Sequence, residues 1–272
     1  MTRSFASTGM NDLSADSEVA GVSKRTRPTI GESDRAFVLH TYPYRETSLI
    51  VEAFTCQHGR VVLVAKGAKR PHGAMRGLLN PFQALTLNWF GKSEMKTLKS
   101  VEQDRIFPQL SGSALLSAFY MNELLLKLTH REDPHDVLFE NYGEAVHALA
   151  GLERANTSVR EIARILRQFE VTFLRELGYA LQLNEEADTH APLEPSRNYH
   201  YHAERGPVRF DAASHWQGDA LQLAGKTLID MSNNDYSDPQ TQVQAKQLMR
   251  KMINHLLGDK ILHTRNLIRD LR

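Results

Sequence analysis

Five short strand-like runs follow one another between Asp34 and Gln103, and no helical pattern interrupts them. RAFVLHTYPY, RETSLIVEAFTC and HGRVVLVAKGAK are rich in β-branched and aromatic residues, PFQALTLNWF alternates apolar with polar side chains, and MKTLKSVEQ completes the set. His58-Gly59 marks a tight turn between the second and third runs. Gly67 and Gly73 bracket a turn carrying Lys69-Arg70-Pro71-His72, and Gly91-Lys92 turns the chain before the fifth run. Five strands joined by loops in so short a span fit a small closed barrel of the OB-fold type better than an open sheet. Such a barrel offers one groove to single-stranded nucleic acid, where cations follow phosphates and aromatic rings stack on bases.

The same segment carries the charge. Residues 60–99 hold Arg60, Lys66, Lys69, Arg70, Arg76, Lys92, Lys96 and Lys99 against one acid, Glu94, for a net charge of +7. The whole 272-residue chain totals +1, which leaves 25 bases against 31 acids elsewhere. Cations segregated on a β-rich segment fit a polyanion-binding face, because neutralised phosphates release their counterions. A solvated, Lys-rich sheet surface has the same composition, so charge alone leaves both readings open. Trp89, Phe90 and Tyr44 are the candidate stacking aromatics. Consecutive residues of a strand face opposite ways, so at most one of Trp89 and Phe90 reaches the groove while the other packs inside.

Past Pro108 the texture changes. GSALLSAFYMNELLLKL, HDVLFENYGEAVHALAGL and SVREIARILRQFEVTFLRELG repeat apolar residues at helical spacing, with Gly178 placed to end the third helix. Residues 183–216 break the pattern, and NYHYH and PVRFD flanking Glu204-Arg205-Gly206 read as a β-hairpin. His200 and His202 would share one face of it, but a zinc site wants three or four ligands, so solvent-facing histidines are expected. Two more helical stretches, about 219–231 and 239–258, lead to a tail in which Lys260, Arg265, Arg269 and Arg272 make a second, smaller basic patch. The class is therefore α+β: residues 34–107 a barrel, 108–272 helical, and 1–33, rich in Ser, Thr, Asp and Gly, a disordered leader.

Several function classes find no support. No run of about 18 apolar residues suggests a membrane span, and the N-terminus lacks the apolar core of a secretory signal. The single cysteine, Cys56, falls in a strand and reads as a small buried hydrophobe in a reducing, cytoplasmic setting. Phosphate-loop, dinucleotide-binding, nucleophile-elbow and zinc-protease motifs are missing, so a binding protein without a cofactor is favoured over an enzyme. Three rivals remain: an OB-fold RNA-binding factor, a phosphoryl-transfer enzyme with an unrecognised metal site, and a purely structural scaffold with no salt-sensitive affinity for nucleic acid.

Gly59-Arg60-Val61, Val64-Ala65-Lys66-Gly67-Ala68-Lys69-Arg70, Asn80-Pro81-Phe82 and Lys96-Thr97-Leu98 together resemble the N-terminal domain of the bacterial recombination mediator family RecO. Tyr120-Met121-Asn122-Glu123-Leu124-Leu125, Asp133-Pro134 with Leu138-Phe139, and Arg167-Gln168-Phe169-Glu170 leading to Glu176-Leu177-Gly178-Tyr179 extend the resemblance to the end of the chain. It implies an ATP-independent DNA-repair protein with an N-terminal OB-fold and a helical C-terminal domain. Members of the family bind single- and double-stranded DNA and anneal complementary strands. They engage the acidic C-terminal tail of the single-stranded-DNA-binding protein and, with RecR, help load RecA. Some hold a four-cysteine zinc module after the Glu-Leu-Gly-Tyr region; this chain lacks those cysteines, so residues 183–216 are expected to form a metal-free hairpin. For the acidic tail, a cationic rim is expected from Lys127 and Arg131 together with Arg160, Arg164 and Arg167, which share one helical face. Pairing of these arginines with Glu161 and Glu170 on a wet surface is the alternative.

Overall fold

The computed structural model describes residues 31–73, 75–152, 159–210 and 220–265; the expected leader falls outside them up to residue 30. Strands β1 (Glu32–Tyr44), β2 (Ser48–Thr55), β3 (Gly59–Ala65), β4 (Ala84–Phe90) and β5 (Met95–Arg105) close into a barrel in the order β1-β2-β3-β5-β4. The β3–β5 pairing is parallel and the others are antiparallel. Alternate residues point inward: Val38, Val51, Ala53, Val61, Leu63, Leu85, Leu87, Trp89 and Leu98 fill the interior.

β1 starts two residues before the Asp34 expected from sequence, because Glu32 lies opposite Trp89 in the ladder. Its run Ala36-Phe37-Val38-Leu39 is buried on both faces. Ala36 and Val38 belong to the barrel interior, whereas Phe37 and Leu39 join Phe54 and Cys56 on an outer face covered by helices. This is why the stretch lacks a clean alternation.

The covering helices are α1 (Gly112–Leu128), α2 (Asp136–Leu152) and α3 (Val159–Glu176). α2 lays its apolar stripe on the barrel: the Phe37 ring meets Tyr142 at 5.0 Å and Phe139 at 5.3 Å, and Phe54 meets Phe139 at 5.5 Å. Asn122 of α1 links the layers, donating to the Leu39 carbonyl at 2.9 Å and accepting from the Tyr142 hydroxyl at 2.6 Å. α3 stops where Gly178 was expected to stop it. Gly178 has φ +86°, its N–H donates to the Arg175 carbonyl, and the Tyr179 N–H donates to that of Leu174 at 2.8 Å. These are the two bonds of a Schellman cap.

A three-stranded sheet, order β7-β6-β8, occupies the region after α3: β6 (Asn198–His202), β7 (Gly206–Arg209) and β8 (Leu221–Ala224). The first two are the expected hairpin. β8 corrects the expected helix over 219–231, because its four residues pair with β6 and only α4 (Gly225–Ser232) is helical. A run as short as LQLA satisfies either period, so the pattern could not separate them. α5 (Pro239–Leu257) begins with Pro239 at its first position and Asp238 accepting from the Gln240 N–H at 2.8 Å.

The connection between α1 and α2 is pressed onto the barrel rim at Gly59. That residue has φ +64°, and a Cβ there would lie 2.1 Å from the Asp133 carbonyl oxygen. Gly59→Ala is therefore expected to cost about 1–3 kcal/mol from backbone strain alone, before the rim moves. A urea titration checks it; a midpoint equal to the parent's would contradict this packing.

Candidate nucleic-acid interface

The described residues of the β3–β4 connection, 66–73 and 75–83, form successive turns rather than a helix. Arg70, Gly73 and Arg76 donate their N–H groups to the carbonyls of Gly67, Arg70 and Gly73, each at 3.0 Å. Ala68 and Leu79 are buried against the barrel interior, and the Lys69 N–H donates to the Thr47 carbonyl of the β1–β2 turn at 3.0 Å. Because these contacts use small apolar side chains and backbone, the long cationic side chains are left outside. Lys66, Lys69, Arg70 and Arg76 are all exposed. The Arg76 guanidinium donates to the Pro71 carbonyl at 3.0 Å.

The β4–β5 hairpin adds two more. Lys92 lies in its turn, and Lys99 occupies a bulge where Asn88 pairs with Ser100 and Trp89 with Leu98. A bulge turns its extra residue out of the ladder, and Lys99 is exposed. The β3–β5 register, with Val64 opposite Thr97, leads on toward Lys66 and Lys99. Among the described residues no carboxylate forms an ion pair with any of these six cations.

Two cations expected in this set are elsewhere. Arg60 is clamped between Glu52 at 3.2 Å and the Thr129 carbonyl at 3.1 Å, and burial pulls its pKa down against the pull of Glu52. Lys96 is buried and paired with Glu132. Both fasten the α1–α2 connection to the barrel and neither faces solvent. Trp89, offered as a stacking candidate, is fully buried, with its indole N–H donated to Glu32 and its ring edge-on to His58 at 5.2 Å. Phe90 faces outward beside the Gly91 turn at 38% exposure. Tyr44 is half-buried, with the Arg45 guanidinium over its ring at 5.2 Å. Exposed Tyr42, edge-on to His40 at 4.4 Å, was missed although Tyr-Pro-Tyr-Arg before the turn already mixed aromatics with a cation.

The five residues expected to form one cationic rim do not meet. Lys127 and Arg131 line a cleft of about 1180 Å³ between barrel and helices, together with Tyr42, Leu128, Leu177 and Lys260. Lys127 pairs with Glu123 at 3.6 Å, and Arg131 with Glu52 at 2.8 Å and with Glu94. The cleft receives only the last turn of α3, whereas Arg160 lies about 24 Å back along that helix. Arg164 is held by Glu161 at 2.9 Å and Gln168 at 3.1 Å. Arg167 is buried against Glu170 at 2.8 Å, and the Tyr120 hydroxyl donates to the same carboxylate at 2.6 Å. The shared helical face read from spacing turns inward at Arg167. Lys260, placed by the sequence in a separate tail patch, instead donates to the Lys127 carbonyl at 2.8 Å on this cleft.

Glu123 fixes the segment that carries Lys260. Burial raises its pKa, but bonds from the Thr264 hydroxyl at 2.6 Å, the Thr264 N–H at 2.9 Å and the His263 N–H at 2.8 Å, with Lys127 nearby, outweigh it. The carboxyl therefore titrates below the usual range. A depressed folded pKa gives stability that is present above the unfolded value near 4.3 and lost as pH falls through the folded one. Acid unfolding followed by circular dichroism should show that loss in the parent, and Glu123→Gln should flatten it.

Among the described residues no three His, Cys, Asp or Glu side chains gather as a metal site. His200 lies edge-on to Phe210 at 4.8 Å, and the loop before β6 is gathered by buried Glu186, which accepts from Arg209 at 2.6 Å. No described helix is long and apolar enough to cross a membrane.

Comparison with known proteins bears on the whole of this arrangement. Residues 31–107 match the family described as Recombination protein O N terminal, and residues 109–265 match Recombination protein O C terminal. The chain belongs to the RecO family. The N-terminal match is the barrel and the C-terminal match the helices with the small sheet, so the resemblance read from motifs holds across both. A protein of Nitrosospira multiformis named DNA repair protein RecO is 47% identical over 241 residues, 89% of this chain and 96% of its own length. Proteins of the same name from Aromatoleum aromaticum and Ralstonia nicotianae are each 47% identical over 87% of this chain, covering 95% and 84% of their own lengths.

Proposed function

We propose that this RecO family member is a DNA-binding recombination mediator that acts in repair without catalysing a reaction. It binds single- and double-stranded DNA, anneals complementary strands and, with RecR, helps place RecA on DNA coated by the single-stranded-DNA-binding protein. It works in the cytoplasm. One observation carries the reading: six exposed cations, Lys66, Lys69, Arg70, Arg76, Lys92 and Lys99, none of them paired with a carboxylate among the described residues, are carried by the β3–β4 connection and the β4–β5 hairpin, with Phe90 exposed on the hairpin. Such a surface attracts a phosphate backbone and offers a ring on which a base can stack.

The cleft holding Lys127, Arg131 and Lys260 over Leu128 and Leu177 supports a second contact, with the acidic, apolar-ended tail of the coat protein. Lys127 and Lys260 supply charge at its edge and the leucines supply the floor. Sites for DNA and for the tail on one chain raise the effective concentration of each for the other.

The test is fluorescence anisotropy of a labelled single strand across a salt series, with RNA of the same sequence as competitor. Neutralising about five phosphates gives a log–log salt slope near −3.5. Tighter binding of the RNA would favour an RNA-binding factor instead. For the tail site, Lys127→Glu/Lys260→Glu should weaken a fluorescent tail peptide at least about tenfold and leave naked-DNA affinity in place; unchanged peptide affinity would remove this cleft from the account.

A further inference from the structure

α5 contains no acidic residue, which is unusual for a 19-residue surface helix in a chain with 32 acids to 33 bases. Its inward side, Ala245, Leu248, Met249 and Met252, is buried. The opposite side presents Lys246, Gln247, Arg250, Asn254 and His255 to solvent, with Lys251 half-buried among them. A cleft of about 720 Å³ runs between this side and the β6–β7 turn, lined by His202, Glu204, Arg250, Lys251 and His255. Arg250 has no carboxylate partner among the described residues. Glu204 is the one acid of the lining, and it stands 3.6 Å from His255 at the exposed rim. Nearby Asp188 is already paired with Arg205.

Burial depresses the pKa of His202, and the positive charges of Arg205 and Lys251 depress it further, as expected inside a cationic cleft. The cleft also has a direction. It ends at Asn254 and His255; Leu256, the next residue of α5, and Lys260, past the end of the helix, line the cleft that borders the barrel. Among the described residues, the lining of the α5 cleft includes no Phe, Tyr or Trp.

We infer that the α5 cleft, through Arg250, Lys251 and their neighbours, is a second nucleic-acid site that holds a single strand by its phosphates while the barrel holds another. This rests on the barrel being the first site. The cations of the described lining suit this role, because a base stacked on an aromatic side chain is withdrawn from pairing, whereas a strand gripped by its backbone keeps its bases outward. One strand on each site would be brought together with their mutual repulsion partly neutralised, as annealing requires.

The full chain is tested as Arg250→Glu/Lys251→Glu, with Arg250→Gln/Lys251→Gln as the milder form, each checked for an unchanged thermal melt. The expected result is single-strand affinity within about threefold of the parent and a salt slope shallower by up to about 1.4, with annealing slowed at least tenfold by the reversal and less by the neutral pair. In a Lys69→Glu/Arg70→Glu background the remaining salt-sensitive binding of an oligo-dT strand should vanish when Arg250 and Lys251 are also reversed. Annealing at the parent's rate in the reversed variant overturns the inference. So does loss of binding to a Glu-rich decapeptide with annealing intact, which would assign the face to a protein partner. Parental oligo-dT affinity in the Lys69→Glu/Arg70→Glu protein would instead overturn the barrel reading, with α5 still judged by its own variants.

Discussion

Lys69→Glu combined with Arg70→Glu is expected to weaken single-strand binding on the order of 100-fold at low salt, and to make the salt slope shallower by about 1.4. The basis is geometric. Both side chains are exposed on a turn-built loop, which Lys69 ties to the β1–β2 turn through its backbone N–H. Reversal therefore places two negative charges where phosphates would sit without disturbing Ala68 or Leu79, which seat the loop on the barrel. The thermal midpoint should stay within about one degree of the parent, since exposed substitutions away from such contacts rarely exceed ~0.5 kcal/mol. Anisotropy with a fluorescent oligo-dT and a melting curve on the same sample are sufficient. Equal affinity and slope in the variant and the parent would remove this loop from the interface.

The largest effect on stability is expected at Trp89. Its indole is fully buried in the barrel interior and bonded to Glu32, so Trp89→Ala removes the biggest side chain of that core and strands a carboxylate on β1. A loss of about 3–5 kcal/mol follows from large-to-small substitution in a packed core. Phe90→Ala, one residue along and outward, should cost no more than about 1 kcal/mol. The two variants separate structure from recognition. Trp89→Ala should lower the urea midpoint and bind DNA only to the extent that it is folded, whereas Phe90→Ala should keep the midpoint and lose affinity if its ring stacks on a base. A Trp89→Ala midpoint equal to the parent's would contradict the barrel as described.

These pairs also show what could be read in the sequence and what could not. Alternation along PFQALTLNWF placed Trp89 and Phe90 on opposite faces, and turn residues such as His58-Gly59 and Gly91 divided the barrel into its strands. Gly178 likewise ended α3 because the Schellman cap needs a left-handed residue. Periodicity assigns a side chain to a face, however, and says nothing about what covers that face. Arg60 and Lys96 count as exposed cations until the α1–α2 connection, more than 30 residues away in sequence, is folded over them. Arg167 was misplaced for the same reason, since its helical face turns toward Tyr120 and Glu170. The cleft at Lys127 and Lys260 joins residues 133 positions apart, a proximity that no local pattern records. β8 went unread because four residues are too few to distinguish a strand from the first turn of a helix.

The central claim is that the barrel of this RecO family protein binds a DNA backbone through Lys66, Lys69, Arg70, Arg76, Lys92 and Lys99. The most direct test is the salt dependence of single-strand affinity in the parent and in the Lys69→Glu/Arg70→Glu variant, measured side by side. The account predicts a parent slope near −3.5 that becomes shallower by about 1.4 on reversal of the two charges. A parent that binds no DNA at low salt, or a variant with the parent's slope, would contradict it.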